Sequence, residues 1–92
     1  MQAVAIRRGN LVGSSKRERP KYLPKKLRKL RLDVLRMSQT EMCKALGLKV
    51  DYSAVSGYER GAREPSLPIL LKYARLAGCT VEQLIDDKIK WP

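Results

Sequence analysis

Histidine is absent from this 92-residue chain, and cysteine occurs only twice. These scarcities remove the usual ways of assembling a metal centre, so neither a metal nor any other cofactor is expected. No nucleophile stands with a partner base, which leaves catalysis without support. No apolar run approaches the roughly 20 residues that a membrane-spanning helix needs. The opening "MQAVAIRRGN" places its charges after a short mixed stretch rather than before a long apolar one. That is not the order of a secretory signal, and a cytoplasmic protein is expected. Cys43 and Cys79 lie in apolar, helix-like contexts, where two buried thiols in a reducing compartment fit better than a lone disulfide. The length suits one small domain with a single core.

Positive charge is what the chain has in excess. Its net charge is +11, which points to a polyanionic partner. Residues 1–31 hold eleven Lys or Arg against the single acid Glu18, a net +10, whereas residues 32–92 hold nine basic and eight acidic residues, a net +1. The excess is therefore an N-terminal property. A solvated tail that only aids solubility would look similar, but this one adjoins a candidate recognition unit.

Residues 1–22 show no sustained period, and "GNLVGSSKRERP" is rich in turn formers, so a flexible basic arm is expected there. From about 24 to 36, Leu27, Leu30, Val34 and Leu35 or Met37 recur at helical spacing, with Lys25, Lys26, Arg28 and Lys29 facing out. Pro24 suits the first turn of this helix. Ser38 and Glu41 form a capping box for a second helix, with Met42, Cys43 and Leu46 inward and Gly47 as its stop. A third helix, about 52 to 60, can be capped by Asp51 and ends at Gly61. Ser66 can cap a fourth, about 67 to 77, whose apolar stripe is Leu67, Leu70, Leu71 and Ala74. Thr80 and Gln83 make a second capping box for a fifth helix carrying Val81, Leu84 and Ile85. Five short helices and no alternating run predict an all-α domain over 23–86, between the arm (1–22) and a short tail (87–92).

The second helix, the "GLKVD" turn and the third helix form a helix-turn-helix candidate. Such a unit must offer the major groove short polar side chains on one face and anchor the other face in a core. The third helix fits: Val55 and Tyr58 point one way, while Tyr52, Ser53, Ser56, Gly57 and Arg60 point the other with no carboxylate among them.

"LRKLR", "MSQTEMCKALGL" and "SAVSGYERGAREPSLPILLKYARLAGCTVEQLI" resemble the Cro and phage-repressor (XRE-like, Cro/C1-type) helix-turn-helix family across roughly 25 to 86. The resemblance implies a compact five-helix, lambda-repressor-like domain that binds double-stranded DNA, commonly as a homodimer, and regulates transcription. Carried over by position, it implies base contacts for Tyr52, Ser53, Ser56 and Gly57. It implies backbone contacts for Gln39, Arg60, Arg63 and Ser66; Lys44 and Lys49, which flank the turn, are either plain surface charges or further phosphate contacts. A link between Glu59 and an arginine of the first helix, best Arg31, is also implied. In the arm, Arg17, Arg19 and Lys21 are the expected DNA contacts.

Three departures stand out. The turn between the second and third helices is about two residues longer than the common pattern, and the link between the first and second about one residue longer. Gly57 also replaces a longer polar residue. A mid-helix glycine costs about 1 kcal/mol relative to alanine, so either a compensating gain such as close approach to DNA is expected there or the glycine is merely tolerated.

The expected function is a repressor in the cytoplasm, associated with the nucleoid. An antitoxin that binds a toxin and its own promoter, and an RNA-binding or scaffolding module, are the rival readings. Ile85, Ile89 and Trp91 either form a dimer interface or fold back to finish the core.

Overall fold

A computed structural model of the protein describes residues 19–49 and 52–92. Among them the chain forms α1 (Leu23–Lys29), continued by a π-helical segment (Leu30–Leu35), then α2 (Gln39–Ala45), α3 (Ser53–Arg60), α4 (Leu67–Ala77) and α5 (Val81–Ile85), with no strand. The all-α architecture expected from the sequence is the one observed. The arm residues 1–18 and the turn residues 50 and 51 lie outside the described residues, so Arg17 and the cap expected from Asp51 do too.

Local signals start and stop most of these helices. The Ser38 hydroxyl accepts from Glu41 N–H at 3.0 Å while the Glu41 carboxylate accepts from Ser38 N–H at 2.8 Å. Thr80 and Gln83 repeat the arrangement at 3.1 and 2.9 Å. Ser66 caps α4 through Ile69 N–H, and Pro68 occupies its first turn, where its missing N–H costs nothing. Gly47, Gly61 and Gly78 end their helices at positive φ.

One core joins all five helices. Leu27 and Leu30 of the first helix meet Met42, Leu46, Val55, Leu70, Tyr73 and Leu84 there. Two apolar expectations are corrected. Leu67 and Leu71 are 73% and 40% exposed, whereas Tyr73, outside the expected stripe of α4, is fully buried. In the first helix Val34 is exposed, and Leu35 and Met37 pack against the core instead. The π-helical turn explains this second shift. A π turn takes one extra residue, which moves the inward register by one, and it accounts for the one-residue excess noted before α2. The segment closes on Arg36, a non-glycine residue at φ 55°.

Lys26 was expected to face solvent. It is 6% exposed, and its ammonium donates to the Gln83 and Asp86 carbonyls, each at 2.8 Å. These are carbonyls at the C-terminal end of α5, which lack helical partners and carry negative partial charge, so the cation satisfies them. Beside it, the Asp87 carboxylate accepts from Lys21 N–H at 2.9 Å and Tyr22 N–H at 3.1 Å. Those hydrogen bonds, Lys21's first, hold its carboxyl below the usual range. Trp91, partly buried, packs against the core, while Ile85 stays 38% exposed.

Candidate nucleic-acid interface

The face of α3 is built from its underside outward. Ala54 and Val55 are buried, and Tyr58 meets Tyr73 edge-on, ring centroids 6.4 Å apart. Glu59 is the helix's single acid. It turns inward, where Arg31 Nε donates to Glu59 Oε2 at 2.7 Å and Arg31 Nη2 donates to Glu59 Oε1 at 3.0 Å. Both side chains are less than a tenth exposed, and the Arg31 pKa is raised chiefly by the hydrogen bond to Glu59. The remaining Arg31 amino group donates to Met37 O at 2.9 Å. One guanidinium thereby ties the π turn of the first helix to α3 in the paired, fork-like geometry that makes such contacts strong. The Glu59–Arg31 link expected from the sequence is present.

With Glu59 turned in, the outer face of α3 carries no carboxylate. Tyr52 and Ser53 are exposed and Ser56 is half-buried. Arg60 lies back along the helix and donates from Nε to Ser56 Oγ at 3.2 Å. Gly57 departs from expectation: it is buried rather than open on this face, because the aliphatic stem of Arg63 covers it.

The other expected contacts surround this face. Lys44 and Lys49, exposed, flank the start of the turn before α3. Gln39, at the start of α2, is half-buried, and its amide donates to Glu59 Oε1 at 3.3 Å. Ser66 is exposed at the start of α4. Arg19 and Lys21 at the arm's root share an open hollow of about 410 Å³ with Arg60 and Arg63. Four expected contact residues, far apart in sequence, thus share one surface. Residues 27–84, more than half of the chain, match the family described as "Helix-turn-helix".

The chain belongs to the Cro/C1-type helix-turn-helix family. It is a DNA-binding transcriptional regulator. Solved structures agree. The regulator is similar to the P22 c2 repressor in complex with a synthetic operator, with 25% identity over 71% of this chain and 94% of that one and a TM-score of 0.63. It is also similar to the restriction-modification controller protein C.AhdI of Aeromonas hydrophila, with 35% identity, 67% and 86% coverage and a TM-score of 0.58. The N-terminal DNA-binding domain of SinR from Bacillus subtilis shares the fold, with 23% identity, 75% and 97% coverage and a TM-score of 0.63. No curated protein sequence matches. Among the described residues no helix is long and apolar enough to cross a membrane.

Sequence reasoning missed Lys26 and the covering of Gly57. For the glycine a signal existed, since a costly residue in mid-helix called for a reason. For Lys26 there was none, because an inward lysine amid outward ones leaves no mark on periodicity.

Proposed function

We propose that the regulator is a repressor that reads the major groove with the outer face of α3. The observation that carries this reading is the inward turn of Glu59 onto Arg31, which leaves an exposed polar face free of negative charge. Tyr52, Ser53 and Ser56 take base edges. Arg60, Lys44, Lys49, Gln39 and Ser66 take backbone phosphates around them, Gln39 with the part of its amide that Glu59 leaves available. Arg19 and Lys21, and Arg17 beyond them, continue the cationic track into the arm, which lies along phosphates or in a narrow minor groove.

Two-fold operators call for a two-fold protein, and the exposed Leu67, Leu71 and Ile85 offer apolar surface for a second copy. The regulator would do this work on the cytoplasmic nucleoid. The antitoxin reading has no specific observation in its favour.

Selection of bound duplexes from a random pool tests the core of the proposal. Ser53→Ala and Ser56→Ala should each relax one position by about 1–3 kcal/mol, and unchanged selections would show that α3 is not the reader. Arg60→Ala should weaken all sequences alike and lower the salt slope by about one. Deleting residues 1–18 should also flatten the salt dependence, while sedimentation with operator DNA reports the dimer.

A further inference from the structure

We propose that Arg63 is itself a base-reading side chain, laid across α3 at the one residue that leaves room for it. The inference rests on the reading of α3 above and replaces the expected roles of two residues, a base contact by Gly57 and a phosphate contact by Arg63.

A Cβ placed on Gly57 would stand 3.5 Å from Arg63 Cβ, 3.1 Å from Cγ and 2.8 Å from Cδ. The separation shrinks outward along the side chain, so the stem converges on the helix surface at position 57. With any other residue at 57 the Arg63 stem would have to move aside, because the closest of these contacts is shorter than real Cβ atoms show. The backbone sets the starting point. Gly57 O accepts from Ala62 N–H at 2.9 Å and from Arg63 N–H at 3.2 Å, which folds the turn after α3 back against the helix's last turn.

Position 57 lies one helical turn after Ser53 and one before Arg60, within the stripe that faces outward. Glycine has no side chain to offer there. The turn after the helix supplies one instead, longer and cationic, and Arg63 remains exposed. A guanidinium on a reading face suits one base above all. Its planar fork donates two parallel hydrogen bonds to O6 and N7 of a guanine in the major groove, a geometry that lysine cannot copy. The pairing of Gly57 with Arg63 therefore assigns a guanine to the operator position beside the one read by Ser53.

The test compares the wild-type chain with Arg63→Lys, Arg63→Ala and Gly57→Ala in selections from random duplex DNA, followed by salt titrations on the selected site. Arg63→Lys should lose about 10- to 100-fold discrimination at one base pair. Its other preferences and its salt slope should stay unchanged, because the charge is retained. Gly57→Ala, by displacing the stem, should blur the same base pair, and Ser53→Ala a different one. The inference is overturned if Arg63→Lys keeps the full motif while Arg63→Ala weakens every sequence by one factor and lowers the slope by about one. Arg63 would then serve the hollow it shares with Arg19, Lys21 and Arg60 as a phosphate contact. Thermal melting by circular dichroism identifies a Gly57→Ala chain that does not fold, and the exposed Arg63→Lys change then decides alone. A wild-type chain that selects no motif would overturn the reading of α3 itself, a failure distinct from loss of one base pair.

Discussion

Helices α2 and α3 form one motif but are secured in opposite ways. α2 is held by its ends: a reciprocal capping box opens it and Gly47, in the left-handed region, closes it. α3 starts from Tyr52 with no side-chain cap, has no acid in its first turn and carries glycine in its second. Its propensity is poor. What holds it lies beneath, in Val55, Tyr58 and the clamp of Glu59 on Arg31. The difference teaches that a helix with a weak start and an open outer face can be fixed chiefly from its inner side.

The comparison can be broken most directly at the clamp. Glu59→Ala leaves the Arg31 guanidinium buried without its counter-charge and should cost about 3–5 kcal/mol, read by urea unfolding. A loss no larger than that from a cap mutation would show that α3 does not depend on its underside. Below the same helix, the Tyr73 hydroxyl is buried with no hydrogen-bond partner among the described residues. Burial is also the largest cause raising its pKa. Tyr73→Phe removes an unsatisfied group at little change of shape and should stabilise the fold by about 1 kcal/mol. A melting temperature that falls instead would reveal a partner for that hydroxyl.

How the expectations fared follows the same division between ends and undersides. Capping boxes at Ser38 and Thr80, and the bounds of α4, are written in residues three or four apart, so they were legible in the sequence. The link of Glu59 to Arg31 was legible only through family resemblance, since its partners lie 28 residues apart. Lys26 inside the fold, Tyr73 in place of Leu67 and Leu71, and the π turn that exposes Val34 depend on what packs opposite. No local pattern records that. Of the candidate site, the polar stripe of α3 could be read from spacing. That Arg63 covers Gly57 could not, because it depends on how the chain folds back after Gly61.

Smaller effects sharpen the contrast from the side of α2. Ser38→Ala removes a side-chain acceptor and should cost about 1 kcal/mol, and amide exchange should quicken in α2 before α3. The least effect is one of pH. The Glu41 carboxyl is held below its usual range, first by the hydrogen bond from Ser38 N–H. A folded value below the unfolded one means that its contribution is complete above the ordinary carboxylate range and disappears as pH falls through the folded value. Acid titration of Glu41→Gln should therefore show a flatter loss of stability than wild type, and identical curves would remove Glu41 from the account.

The seating of Lys26 and Asp87 has a mechanical consequence. The arm's root and the first turn of α1 are stitched to the end of α5 and the residues after it by four hydrogen bonds across the sequence. Whatever takes hold of the arm beyond Arg19 pulls against that seam. The load passes into α5 and the chain after it rather than being absorbed by a loose hinge at Tyr22.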